Sequence, residues 1–248
     1  MYFLFKYSII ILILFGRRRF VHETYIYMFS DNRITEVLIH ALILFTAFPI
    51  HECAHAYAAH LMGDDTAKEQ ERMTINPIKH LDLWGTVLML FAGFGWAKPV
   101  PINPNNFKNR KVGMALSALA GPASNLVLAY ISIILYKVIF IIRMNVLWNS
   151  FWADFLTEVF LYGMFLNVGL AVFNLLPIPP LDGSRIFTLI FPERIYFKIM
   201  KYENVIFGLL FIAVWVGLLD KPLAFLRSGA IVVMDFLSGW VDAIFRIL

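Results

Sequence analysis

An apolar run beginning at Ile34 carries His51-Glu52-Cys53-Ala54-His55 near its end, and few folds can accommodate that combination. A helix puts positions four apart on one face, so His51 and His55 stack about 6 Å apart along the axis. Two imidazoles so placed can grip one zinc ion from the same side. Glu52 is then near enough to a water on that metal to take its proton without being a ligand. The plainer reading, histidines that only satisfy local hydrogen bonds, would weigh about equally in a soluble chain. At membrane depth an ionisable group costs about 2.5–3.5 kcal/mol and is functional by default, which favours the metal.

The membrane reading comes from composition and patterning together. Of the 248 residues, 60% are hydrophobic and 15% charged, against roughly 45–50% apolar in soluble domains. Long apolar stretches recur from end to end, and no polar block is long enough to fold outside a bilayer. One membrane domain follows. The net charge of +4 invites a nucleic-acid reading, which is rejected because the basic residues fall in short loops between spans, where membrane topology asks for them. The single cysteine, Cys53, excludes an internal disulfide and a cysteine-based zinc ribbon. Two positions after His51, it points away from the metal face and suits a small buried hydrophobe.

Taken in order, residues 2–15 are apolar but interrupted by Lys6 and followed by Arg17-Arg18-Arg19, too short for the roughly 20 residues of a span. Residues 1–33 are therefore read as a loosely specified N-terminal extension. Asp31 or Asn32 can cap a helix that runs to Met62 and closes at Gly63, kinked at Pro49. Leu83 to Ala97 is apolar but carries Gly85, Gly93 and Gly95, which suits a re-entrant hairpin or small sheet. The proline-rich loop after it leads to Lys108, Arg110 and Lys111 and is placed on the cytoplasmic side. Residues 112–142 and 155–176 read as spans, 184–191 as a short run, 204–219 as a fifth apolar element, and 222–245 as a last span or an interfacial helix. The expected fold is an all-α polytopic membrane protein with about five to six transmembrane helices, its domain covering 34–248. Only Arg17–Arg19 fall on the wrong side of this path.

A catalytic zinc takes three protein ligands, so two histidines are not enough. Among the few acids at membrane depth, Asp182 stands out, in Asn174-Leu-Leu-Pro177-Ile-Pro179-Pro180-Leu-Asp182-Gly183. The three prolines forbid regular helix and present Asp182 toward an interior cavity. Alternatively Asp182 only caps a helix starting at Gly183 or Ser184. Zinc binding, about 10–16 kcal/mol in small sites, outweighs the roughly 5–7 kcal/mol of inserting Glu52 and Asp182.

The two motifs together resemble those of the site-2 protease family of intramembrane zinc metallopeptidases. Gly63-Asp64-Asp65-Thr66-Ala67, Thr74-Ile75-Asn76-Pro77, Phe94-Gly95-Trp96-Ala97-Lys98-Pro99-Val100-Pro101 and Ala120-Gly121-Pro122-Ala123-Ser124-Asn125 are similar to the compact branch that lacks a PDZ domain. The likeness covers about residues 34–220. It implies His51, His55 and Asp182 as zinc ligands and Glu52 as general base. It also suggests that Asn125 holds the scissile carbonyl or the oxyanion, against the alternative of an interhelical hydrogen bond in a seam of small residues. Asn174 either supports the Asp182 loop or satisfies backbone freed by the prolines. His40 and His60 read as ordinary polar positions, and His80 has no clear chemical role. Glu71-Arg72 stands where that branch commonly has Gly-Arg, and Pro49 is not expected from the family.

The resemblance implies a zinc metalloendopeptidase hydrolysing peptide bonds in or near the transmembrane segments of single-span membrane proteins. Its setting would be the lipid bilayer of the cell membrane, crossed several times; nucleic acid is no partner, and the oligomeric state is left open. The rival reading is a zinc-binding membrane transporter or catalytically silent scaffold, which would keep the ligands but have no need of Glu52. A di-iron membrane oxygenase needs more clustered histidines than the six scattered ones here.

Overall fold

The computed structural model describes residues 33–80, 82, 98–147, 150–186, 189 and 193–247. In chain order the helices are α1 (Arg33–Leu61), α2 (Thr66–Glu69), α3 (Pro77–His80), α4 (Arg110–Asn145) and α5 (Phe151–Asn174). They are followed by α6 (Asp182–Ile186), α7 (Glu193–Met200), α8 (Glu203–Trp215), α9 (Asp220–Leu237) and α10 (Gly239–Ile247). A single 3-10 turn, Pro104–Asn106, precedes α4, and there is no strand among the described residues. The expected all-α fold is therefore observed. Among the described residues, three helical stretches are long and apolar enough to cross a membrane: Arg110–Asn145, Phe151–Asn174 and Asp220–Phe245. The N-terminal extension, the Asp31/Asn32 cap and the hairpin expected over 83–97 lie outside the described residues. Pro49 is accommodated within α1, whose helix continues on both sides of it.

The centre of the molecule is α4 packed against α1 and α5. Lipid offers no hydrophobic incentive for helices to associate, so close van der Waals approach must do it, and small side chains permit that. The buried face of α4 follows a four-residue stride: Gly113, Ser117, Gly121, Asn125, Ala129, Ile133 and Lys137. Gly113, in the first turn, leaves room for the Phe107 ring of the preceding loop, which would lie 2.4 Å from a Cβ there. At its start α4 is capped by Asn109, whose side chain accepts the Val112 N–H at 3.2 Å. Near its end Arg143 pairs with Asp154 of α5. Lys137, buried at the far end of the stripe, is met by Asp235 at 2.8 Å and Asp242 at 2.6 Å, which ties α9 and α10 to α4. The Tyr130 hydroxyl adds a bond to the Leu237 carbonyl at 3.1 Å.

Two consecutive helix ends aim the polar residues after α1. At the end of α1, Gly63 adopts φ +107, with Gly63 N–H bonded to His60 O at 3.0 Å and Asp64 N–H to Ala59 O at 2.9 Å. That is the Schellman pattern, and it turns the Asp64 side chain back under the bundle. The fully buried Asp64 carboxylate accepts from Thr66 N–H (3.1 Å), Thr66 Oγ1 (2.5 Å), Asn103 N–H (2.7 Å) and Asn106 Nδ2 (2.8 Å). Burial alone would raise its pKa, but these donors hold it below the ordinary carboxylate value.

A depressed folded pKa contributes stability that is complete above the unfolded value, about 3.9, and is lost as pH falls through the folded one. Asp64→Asn is therefore expected to be about 1–3 kcal/mol less stable at neutral pH. The gap should narrow as the pH drops below about 4, as read from melting curves in detergent. A gap independent of pH would contradict the cage.

The second turn repeats the device at the end of α2. Glu71 N–H bonds to Lys68 O at 3.0 Å and Arg72 N–H to Ala67 O at 2.8 Å, again a Schellman pair, with Glu71 at φ +54. This left-handed position is the one where the sequence carries Glu instead of glycine, and a side chain there is unfavourable. Its exposed ion pair with Lys79, at 2.7 Å, compensates little. Glu71→Gly is expected to raise the melting temperature by about 1–3 °C; a fall would show that the Lys79 contact outweighs the backbone.

Candidate metal centre

His51 and His55 lie one turn apart on α1, as their spacing dictates, and both are buried. Their rings meet edge to face at 86°, with centroids 4.5 Å apart, so the two Nε2 atoms converge to 2.9 Å. Asp182 comes to them from the other end of the sequence. The chain leaves α5 at Asn174, passes the proline turn and re-enters helix at Asp182. Asp182 Oδ2 stands 3.2 Å from His51 Nε2 and 3.3 Å from His55 Nε2. Asp182 thus begins α6 and also faces the histidine pair.

The geometry fits a metal ion. His55 Nδ1 lies 2.6 Å from the Ser117 carbonyl, which can only accept, so the ring proton sits on Nδ1 and a neutral His55 presents a lone pair at Nε2. That lone pair converges with a second imidazole nitrogen and a carboxylate oxygen, a donor set that a single cation between them would satisfy. Tetrahedral zinc with ligands at about 2.0–2.2 Å holds its donor atoms roughly 3.3–3.6 Å apart; the two Asp182–histidine separations, 3.2 and 3.3 Å, lie close to that, and the 2.9 Å histidine pair is shorter. Asp182, His51 and His55 form a potential metal-binding site, all three buried.

Two glycines make the approach feasible. A Cβ on Gly121 would lie 2.3 Å from His55 Nε2 and 2.7 Å from His51 Cε1, so α4 rests directly on the imidazole pair. A Cβ on Gly183 would lie 2.2 Å from the Leu175 carbonyl oxygen, which shows how closely the Asp182 turn folds back onto the end of α5. Neither role is legible from spacing, although Gly121 stands in a quoted motif.

Glu52 is buried beside the ligands, and its Oε2 accepts the Val100 N–H at 2.9 Å. Asn125 is fully buried one turn along the α4 stripe from Gly121. Neither its amide oxygen nor its nitrogen has a hydrogen-bond partner among the described residues, so the interhelical bond considered for it is not found there. Asn174 donates from Nδ2 to Leu170 O at 3.0 Å, within its own helix. His80 is buried, donates from Nε2 to Thr74 O at 2.7 Å, and offers its carbonyl to the Lys98 N–H at 2.7 Å. Burial lowers its pKa, which suits a neutral structural histidine. His60 pairs with Asp65 at the surface. Cys53 is half-buried, more exposed than a core hydrophobe.

Residues 39–216 match peptidase family M50. The "Putative zinc metalloprotease YwhC" of Bacillus subtilis (strain 168) is 44% identical over 174 residues, which cover 69% of this chain and 78% of that protein. The "Putative zinc metalloprotease Rip2" of Mycolicibacterium smegmatis is 33% identical over 139 residues, 54% of this chain and 50% of that protein. No solved structure gives a significant match. With its buried His51, His55 and Asp182 triad, the chain belongs to peptidase family M50, the site-2 protease family, and is a zinc metalloprotease.

Proposed function

We propose that this protease hydrolyses peptide bonds in or near the transmembrane segments of single-span proteins, and that residues 34–248 act as one catalytic domain crossing the cell membrane several times. In this reading the five to six expected spans include α1 and α8. The observation that carries the proposal is the convergence of a buried imidazole pair and a buried carboxylate among helices apolar enough to cross a bilayer.

His51, His55 and Asp182 hold the metal. Zinc, when bound, supplies Lewis acidity toward the scissile carbonyl and makes water a stronger acid. Glu52 takes the proton of the attacking water and returns it to the leaving amine. Asn125, buried with its amide unengaged by the described residues, is suited to donate to the carbonyl oxygen as it gains charge. A substrate helix keeps its carbonyls in its own hydrogen bonds, so it must unwind locally before attack. Substrates are therefore single-span proteins with a weak helical turn near the cut, and water arrives from the side of the basic loops.

The test uses the full chain in liposomes with a single-span reporter whose transmembrane segment is weakened by Gly-Pro. Cleavage within that segment, abolished by a chelator and restored by zinc, is expected. Cleavage only in soluble tails, or cleavage that survives chelation, would reject the reading.

A further inference from the structure

The segment Lys98-Pro99-Val100-Pro101 crosses the buried Glu52, and its sequence leaves it few ways to bond. Proline has no N–H, so Val100 carries the one amide proton of residues 99–101. That proton goes to Glu52 Oε2, at 2.9 Å. The two carbonyls that precede it are both held by one side chain: Arg72 Nη2 donates to Lys98 O at 2.6 Å and to Pro99 O at 3.3 Å. The Lys98 N–H is fixed to His80 O at 2.7 Å. Val100 itself is buried beside Ala56, one turn beyond Glu52 on α1, and Ala67 of α2. The strap is thus pinned by its backbone on the α2–α3 side and ends on the carboxylate. Arg72 is delivered by the Schellman turn that closes α2, and its guanidinium lies close enough to feel the Glu52 charge.

We propose that Arg72 is a positioning residue that fixes the Glu52 carboxylate by holding the Lys98–Val100 strap, whose Val100 N–H engages Oε2. The proposal rests on the proteolytic reading above, because it concerns the group that takes the proton. A carboxylate left to rotate would sample the productive geometry only part of the time. Both carbonyls are met by one nitrogen of the guanidinium, Nη2, which a shorter-reaching lysine ammonium would reproduce only in part.

Two readouts on the full chain in liposomes test it. In the first, hydrogen exchange is followed on peptides covering residues 99–101, where the Val100 amide is the only exchangeable backbone proton. Arg72→Ala should speed its exchange by at least about tenfold, and Arg72→Lys should give an intermediate rate. In the second, cleavage of the Gly-Pro reporter by Arg72→Ala should lose kcat by roughly 10–100-fold, with KM and zinc content unchanged. Glu71→Gly, which keeps the turn, should leave kcat as it is.

Unchanged exchange at Val100 in Arg72→Ala overturns the proposal. So does faster exchange with unaltered kcat, and so does a rise in kcat, which would make the strap an inhibitory cover. If Arg72→Ala fails to fold, Val100→Pro removes the same N–H directly, and an unaltered kcat in that variant overturns the proposal. Should the wild-type chain leave the reporter intact while Val100 responds as expected, the reading of cleavage within transmembrane segments falls and the Arg72–Val100–Glu52 linkage stands.

Discussion

The Glu52→Gln protein is expected to bind zinc at wild-type stoichiometry and to cleave about 10²–10⁴-fold more slowly, or not measurably. The substitution preserves shape, and the glutamine amide oxygen can still accept the Val100 N–H that Oε2 accepts now, at 2.9 Å. Position and packing are therefore retained. What disappears is a site able to take a proton and give it back. The ligand set His51, His55 and Asp182 is untouched, so metal content separates loss of chemistry from loss of the site. A transporter or scaffold built on the same ligands would be indifferent to this change. Wild-type cleavage by Glu52→Gln would reject the proposed mechanism while leaving the metal site in place.

Gly121→Ala is expected to lower zinc affinity by at least about 100-fold, the upper range for a disturbed metal-site neighbour, and to take activity with it. The new methyl would sit 2.3 Å from His55 Nε2, 2.5 Å from its Cε1 and 2.7 Å from His51 Cε1. Something must shift, and the available movements are few. His55 cannot swing aside without breaking the 2.6 Å bond from its Nδ1 to the Ser117 carbonyl, which belongs to the same helix as the intruding methyl. Moving α4 away would open the seam of small residues against α1 and α5. Alanine is also the better helix former, by about 1 kcal/mol over glycine, so secondary structure should survive. Zinc content measured on the purified protein, beside a circular dichroism spectrum, checks both halves. A Gly121→Ala protein that holds zinc as tightly as the wild type would contradict the contact between α4 and the imidazoles.

Legibility from sequence differed among these residues according to the distance over which each constraint acts. His51, Glu52 and His55 could be read at once, because the pitch of one helix fixes their mutual placement. Asp182 could be singled out by the three prolines before it and by the expense of an acid in an apolar setting, which flags a residue but names no partner. The spans over α4 and α5 were found to within a few residues, since length and apolarity are local properties. The Schellman turns were half visible. Gly63 announced the first, whereas Glu71 concealed the second by occupying a left-handed position with a residue that disfavours it. Asn125 stood in a quoted motif, yet its burial without a partner among the described residues belongs to the packed bundle.

The sequence by itself determined that the chain carries stretches apolar enough to cross a membrane, that it is helical, and which residues could bind zinc and move a proton. Those properties follow from hydropathy, helical pitch and side-chain chemistry, none of which requires knowing what lies across the interior. Tertiary structure alone decided that Gly121 bears on the imidazoles, that the Ser117 carbonyl sets the tautomer of His55, that Val100 bonds Glu52, and that Arg72 holds the strap carrying Val100. Each of these is a contact between elements distant in sequence, made through backbone atoms or through the absence of a side chain. Neither kind leaves a mark in the residue pattern.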